Sequence, residues 1–429
     1  MADACAEEGR DPAVTPHDVT SLAVAILATA GVILRPLGWA EHWFALAGAA
    51  VLLALGLIPA DAAWGAVLKG ADVYMFLIGM MLLAGLALRE GLFDHLAARA
   101  AGAARGSSTR LFLILYLTGT LVTVVLSNDA TAVVLTPAVC VVARHARVNP
   151  LPHLFSCALI ANAASFVLPI SNPANLVVFG AAMPRLSVWL ADLALPSLGA
   201  IAVTYAVLRW RFAGMLAAEA PVAPEVPPLG AAGRLVAGGL GLTALALILA
   251  SAVGADLGGP TLACGVAVLA GVTLATGRSP LPVVRNLSWG VLPLVAGLFV
   301  LVEAVFRTGA LAPLSGALQT GGARAPDLTA ALAGAGFGIA SNLMNNLPAG
   351  LIAATALHGI DVPRQLHEAV LIGIDLGPNL SVTGSLATIL WLIVLRREGI
   401  TVTAGQFLRI GLLAMPAALV MALGLLLLA

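Results

Sequence analysis

Charge is scarce in this chain: 10% of its 429 residues are charged, and the 21 basic and 21 acidic side chains cancel. A soluble domain carries about 25% charged residues, so this chain cannot cover a water-facing surface of its own size. The zero net charge excludes a nucleic-acid partner, because that affinity rests on an excess of Lys and Arg meeting phosphates. Cysteine is scarce too, with Cys5, Cys140, Cys157 and Cys264 scattered along the sequence. Four such residues cannot frame a disulfide-built domain. With no CxxC or CxxH pair there is no zinc or iron–sulfur signature, so no metal or cofactor is expected. All seven His read as interfacial, at span ends or in loops without paired metal spacing. Residues 1–18 lack the positive region of a secretory signal: Asp3, Glu7, Glu8, Asp11 and Asp18 face a single Arg10. They read as a polar N-terminal tail.

What abounds is apolar. The hydrophobic set makes up 60% of the chain, in many runs near the ~20 residues that cross a hydrocarbon layer ~30 Å thick. The class is therefore an all-α polytopic membrane protein. Spans are expected at 19–35, 42–58 and 73–91, a broken pair at 110–126 and 129–143, a discontinuous segment at 153–181, and a span at 187–208. Residues 209–234 hold Arg209, Arg211, Glu219, Glu225, Arg234 and four prolines, and read as a cytoplasmic linker. The pattern then returns: spans at 235–253, 260–276 and 289–307, a broken pair at 327–340 and 345–358, a discontinuous segment at 367–397, and a span at 406–428.

The return is a repeat of sequence as well as of hydropathy. REGLFDHLA (Arg89–Ala97) faces RTGALAPLS (Arg307–Ser315) at an offset of 218, and Ser127-Asn128 faces Ser341-Asn342 at 214. LIANAASFVLPISNPANLVV (Leu159–Val178) faces LIGIDLGPNLSVTGSLATIL (Leu371–Leu390) at 212. The expected organisation is a first repeat over 19–208 and a second over 235–429. Each has about five transmembrane helices plus a re-entrant helical hairpin and a discontinuous helix. An odd number of crossings inverts the second repeat. With the N-terminus periplasmic, 15 of the 21 Lys and Arg residues fall on the inner side, which matches the cytoplasmic bias of basic residues in a bacterial inner membrane.

Four polar breaks interrupt the apolar segments: SNDAT (Ser127–Thr131), NAASFVLPISNPAN (Asn162–Asn175), SNLMNNLPAG (Ser341–Gly350) and DLGPNLSVTGS (Asp375–Ser385). In lipid an unsatisfied backbone group costs several kcal/mol, so such breaks persist only where protein or a wet cavity satisfies them. The limbs flanking Ser127 and Asn345, of 14–17 residues in this reading, fit hairpins that enter only part of the way. Half-helix ends would then aim their partial charges at one midplane cavity. One half of that site would be lined by Ser127, Asn128, Asp129, Thr131, Asn162, Ser171, Asn172 and Asn175. The other half would be lined by Asn342, Asn345, Asn346, Asp375, Asn379, Ser381 and Thr383.

Asp129 and Asp375 lie inside membrane segments, and no Lys, Arg or His falls in either polar cluster. A carboxyl group so placed suits reversible protonation during transport, and either residue could carry the proton. A fixed anion capping a half-helix is the other reading of each. Glu303, four residues before Arg307, is expected in a snorkelling ion pair. The cavity offers amides, hydroxyls and carboxylates but no fixed cation, which favours a small neutral hydroxyl-bearing solute, or a cation, over a multivalent anion. The membrane cysteines are expected to be small hydrophobic core residues and not ligands.

The strings LSNDATAVVLTPAV, ANAASFVLPISNPANLVVF, SNLMNNLPAGL and GIDLGPNLSVTGSLATILW resemble those of the ArsB-type arsenite/antimonite efflux permeases of the ion-transporter superfamily. The resemblance runs from about Val73 to Leu395 in its motifs. It implies a membrane transporter and not an enzyme, which exports arsenous and antimonous acid across the inner membrane in exchange for protons, by alternating access. In some members the permease works with a separate arsenical-pump ATPase subunit. The alternative is a sodium-coupled dicarboxylate or citrate carrier of the same superfamily, whose SNT-type tips resemble Ser127-Asn128 and Ser171-Asn172.

Overall fold

In the computed structural model, which describes residues 15–218, 221–222, 226 and 228–428, every regular element is a helix. The first half runs α1 (Pro16–Leu34), α2 (Glu41–Ala54), α3 (Ala60–Lys69), α4 (Ala71–Arg89), α5 (Leu92–Ala103) and α6 (Ser108–Val125). A short α7 (Asn128–Ala130) continues through a π-helical turn (Thr131–Leu135) into α8 (Thr136–His145). Then follow α9 (Pro150–Ala163), α10 (Pro173–Phe179), α11 (Leu186–Arg211) and α12 (Ala213–Ala217). The second half runs α13 (Ala231–Val253), α14 (Gly258–Thr276), α15 (Leu281–Arg285), α16 (Val291–Arg307), α17 (Ala312–Arg324) and α18 (Pro326–Met344). It ends with α19 (Asn346–Leu357), α20 (Arg364–Leu376), α21 (Leu386–Arg397) and α22 (Ala404–Leu428). Among the described residues, seven helices are long and apolar enough to cross a membrane. Parts of the 1–18 tail, with Cys5, and of the 209–234 linker lie outside the described residues.

The order of elements repeats. Apart from α12, and with α7 and α8 counted as one arm, every helix has a counterpart that begins 213 to 221 residues later. Packing repeats with it: α6 lies on α9 as α18 lies on α20, and α1 lies on α2 as α13 lies on α14. More telling is an exchange between halves. Helix α4 packs on α14 of the other half, and its counterpart α16 packs on α2, the counterpart of α14. Both crossings are closed by a glycine at the same repeat position. A Cβ on Gly79 would run into the Thr261 carbonyl of α14, and one on Gly297 would lie 2.8 Å from the Ala45 carbonyl carbon of α2.

The chain forms two compact units, which cut across the halves. One comprises Met1–Gly70 with Gly290–Leu314, and the other Ala71–Trp289 with Ser315–Ala429. In the first, Glu303 accepts from Arg307 Nε at 3.1 Å, the pair the spacing predicted, and also from Lys69 Nζ at 2.9 Å. Arg35 pairs with Glu41 at the α1–α2 turn. The second unit holds every candidate site residue.

Two details differ from the sequence pattern. Helices α6 and α18 have 18 and 19 residues, longer than limbs of 14–17. Ser107 caps α6 from outside the apolar run by accepting from Arg110 N, and Pro326 opens α18 in the same way that proline suits a first turn. The short helices α3, α5 and α17 appear between the long ones, where the hydropathy pattern marks no span.

Candidate functional site

Both hairpin tips are built by capping. After α6, Ser127 turns extended (φ −174°, ψ 167°) and its Oγ accepts from Ala130 N at 3.2 Å. Asn128 Oδ1 accepts from Asp129 N at 2.9 Å. After α18, Asn345 takes the left-handed φ of 76°, uncommon outside glycine, and its Oδ1 accepts from Leu347 N. The caps Ser127 and Asn345 are 218 positions apart. The structural repeat at the tips therefore differs from the match of Ser127-Asn128 to Ser341-Asn342. Helix α18 is one residue longer than α6, and Ser341 and Asn342 are its last-turn residues, the counterparts of Thr123 and Val124 rather than of Ser127 and Asn128.

The first broken helix stops at Ala163 and resumes at Pro173. Asn175 Nδ2 donates to the carbonyls of Ser165, Leu168 and Pro169 at 2.9–3.3 Å, which supplies a donor to backbone groups the break leaves unpaired. Ser171 Oγ donates to Val124 O in the last turn of α6 and accepts from Leu168 N. Asn172 caps α10 through Ala174 N, leaving its Nδ2 free to reach elsewhere.

The second broken helix stops at Leu376 and resumes at Leu386. Its organiser is Asn342. Its Nδ2 donates to Gly338 O and Gly377 O, both at 2.8 Å, and its Oδ1 accepts from Ser381 N and Ser381 Oγ. Thr383 Oγ1 donates to the Asn342 carbonyl at 2.9 Å. Asn346 N donates to Gly384 O, which ties the hairpin tip to the break. This closeness requires glycine: a Cβ on Gly377 would collide with Gly338 O and Ser341 Oγ.

The two breaks meet at Asp375, which is 0% exposed. Its Oδ1 accepts from Asn172 Nδ2 at 2.7 Å and its Oδ2 from Ser165 Oγ at 2.7 Å. Beside it Asn162 Nδ2 donates to Asn379 Oδ1 at 3.0 Å, and Asn379 Nδ2 donates to Leu159 O. Among the described residues, no Lys, Arg or His hydrogen-bonds to any of these groups. Two buried amide oxygens, Asn162 Oδ1 and Asn175 Oδ1, accept from no donor. A buried acceptor left without a donor costs about 1–3 kcal/mol, so the cluster has an appetite for hydroxyl protons.

The expected residues thus sort into three groups. Asn162, Asn172, Asp375 and Asn379 converge at the meeting of the breaks, with Asn175 and Ser171 shaping the first break. Asn342, Asn345, Asn346, Ser381 and Thr383 lie at the second hairpin, Asn345 as the cap of α19. Ser127, Asn128, Asp129 and Thr131 hydrogen-bond only within the first hairpin among the described residues, although that tip packs on α21. There Thr131 Oγ1 lies 2.8 Å from Thr123 Oγ1, and the half-buried Asp129 carboxylate has no hydrogen-bond partner among the described residues. Ser165 is the contact that reading the sequence missed. Its hydroxyl stands in the quoted NAASF run, but only the fold brings it to Asp375.

A family model described as a citrate transporter matches residues 19–373. The arsenical pump membrane protein of Escherichia coli is 28% identical over 415 residues, covering 91% of this chain and 94% of that protein. That of Yersinia enterocolitica is 29% identical with the same coverage. An uncharacterized transporter of Mycobacterium tuberculosis is 26% identical over 408 residues. Among solved structures, the Alcanivorax borkumensis YdaH transporter, reported to have an unusual topology, aligns with a TM-score of 0.56 at 17% identity. That alignment covers 96% of this chain and 98% of the other, and it is a likeness of fold.

Proposed function

The chain belongs to the citrate transporter family and is a multi-pass bacterial membrane transporter, and from that premise we propose that it exports arsenous acid and antimonous acid across the inner membrane in exchange for protons. The observation that carries the reading is the donor–acceptor imbalance where the two broken helices meet. Asp375, Asn162 and Asn175 present oxygen acceptors, two of them without donors, and among the described residues no cation bonds to them. A neutral trihydroxylated solute brings the hydroxyl donors this cluster needs. A citrate-like anion would place carboxylates against a carboxylate and amide oxygens, which disfavours the sodium-coupled carrier. The matched arsenical pump proteins, over nine-tenths of the chain, point the same way.

Proton exchange rests on Asp375 and Asp129. Asp375 is buried and held only by neutral donors, so its charge changes without breaking an ion pair. Asp129 sits at the first hairpin tip with its carboxylate unpartnered among the described residues. Protonating Asp375 would loosen the grip of Asn172 and Ser165 on it and free both for solute. The two halves, inverted relative to one another, would open this meeting point alternately to either side, with the N-terminus periplasmic.

Arsenite flux in everted vesicles under an imposed pH gradient tests the reading. Wild type is expected to accumulate arsenite in proportion to the gradient, and Asp375→Asn to lose that dependence. Asp129→Asn decides whether the second carboxylate shares the task. Normal proton-driven exchange in both variants would refute the carboxylate mechanism.

A further inference from the structure

Two turns before Asp375 on the same helix lies a second carboxyl group that the transport reading does not use. Glu368 is 3% exposed, and seven residues along α20 return it to the face that bears Asp375. At about 1.5 Å per residue the two positions are separated by roughly 10 Å. Across from Glu368 stands Asp192 on α11, bound to the same cation. One cation serves both: Arg364 Nη2 donates to Asp192 Oδ1 at 2.9 Å, and Arg364 Nε lies 3.2 Å from Glu368 Oε1.

The other elements packed on α20 add no further counter-charge at this end. Helices α10 and α19 and the 377–379 turn carry no titratable residue, and His367 of α20 stacks against Phe179 of α10. Asp327 of α18 is exposed at the start of its helix. His153 of α9 and Arg409 of α22 lie beyond the level of Asn379, at the opposite end of α20: Leu159 of α9 and Gly411 of α22 already meet Asn379. On α11, Arg185 lies two turns before Asp192, while Tyr205, Arg209 and Arg211 are at the far end. Arg185's side chain lies beside Gly254. The charged groups gathered at Glu368 are thus Arg364 and, on the same guanidinium, Asp192.

Two ionised carboxylates on one guanidinium leave one negative charge uncompensated in a largely buried place. They also leave Asp192 Oδ2, which is buried, with no donor. A single proton removes both defects: a carboxylic O–H on one residue donates to the other, and the triad becomes neutral. We infer that Asp192 and Glu368 are a second proton-binding site of the transport cycle, in which the pair shares one proton clamped by Arg364, on the α20 face that leads to Asp375. This rests on the proton-exchange reading above. The step is a protonation only: one proton enters from the aqueous side where Arg364 is exposed, and the triad passes from net charge −1 to zero.

The test reads the proton in two ways on purified full-length protein in proteoliposomes. In infrared difference spectra across a pH step, wild type is expected to show a carboxylic-acid carbonyl band. The band shifts in D2O and is lost in Glu368→Gln. In liposomes with an entrapped pH dye, arsenite addition is expected to move protons in wild type. Glu368→Gln and Asp192→Asn should both lose that signal, and Glu368→Asp should restore part of it. A merely structural ion pair would lower the yield of folded protein in all three and leave the proton signal per arsenite intact. An unchanged signal, or a carbonyl band that survives Glu368→Gln, overturns the inference. Absence of any proton movement in wild type, with the band still lost in Glu368→Gln, instead refutes the exchange reading and leaves the shared proton standing. Should Glu368→Gln fail to fold, Asp192→Asn carries both readouts.

Discussion

Asn172 and Asp375 stand 203 positions apart in the chain and meet at 2.7 Å, amide nitrogen to carboxylate oxygen, with both side chains essentially closed to solvent. One amide thereby does two things. Its oxygen caps the second half of one broken helix, and its nitrogen holds the acid at the end of the other. Asn172→Ala removes both bonds and leaves a buried carboxylate oxygen under-satisfied, an expected cost of about 1–3 kcal/mol. Thermal unfolding in detergent of Asn172→Ala, Asp375→Asn and the double variant measures it. The two changes should be non-additive, and strict additivity would mean that this bond contributes nothing.

Asn342 gives a prediction with a sign. Its amide nitrogen faces two carbonyl oxygens, Gly338 O and Gly377 O. Asn342→Asp keeps the shape but turns an oxygen toward those carbonyls, so it should lower stability and flux more than Asn342→Ala does. The comparison needs only the melting temperature and the arsenite flux of the two variants. An aspartate variant that behaves like wild type contradicts the described amide orientation.

Helix α4 approaches α14 at Gly79, where there is no room for a side chain. Gly79→Val should cost about 1–3 kcal/mol through overpacking, read as a loss of monodisperse protein on gel filtration. Gly65, in α3, has nothing within 4 Å of an added Cβ. Gly65→Ala should therefore be neutral, or stabilising by about 0.5–1 kcal/mol.

Cys140 and Cys157 are buried on the packed helices α8 and α9, while Cys264 lies half-buried on α14. None hydrogen-bonds into the Asp375 cluster. Replacing all four cysteines with Ser is expected to preserve arsenite flux. Its loss, with the protein still folded, would point to thiolate coordination of the solute.

Much of this was legible one residue at a time. A membrane segment containing Ser-Asn-Asp or Asn-Pro has to break, because side chains that cap helices and a ring without an N–H stand where Leu would continue the helix. Helix ends at Val125, Ala163, Met344 and Leu376 each fall within or beside one of the four polar breaks. The short helices α3, α5 and α17 were not legible. Each mixes Ala and Gly with one or two charges over 10 to 13 residues, too short and too mixed for hydropathy to mark as a span. The tip register slipped for a related reason. Paired Ser-Asn letters look equivalent, but one pair opens a helix and the other closes one.

The sequence by itself determined that this chain lives in lipid, that its two halves share an order of elements, and where its helices stop. Those follow from local chemistry: hydropathy over a span, and capping groups at a break. Only the tertiary structure decided which breaks meet. It put Ser165 and Asn172 on Asp375, exchanged α4 and α16 between halves, and set Glu368 against Asp192. Contacts between residues about 200 positions apart depend on which faces pack, and a single sequence does not write packing down.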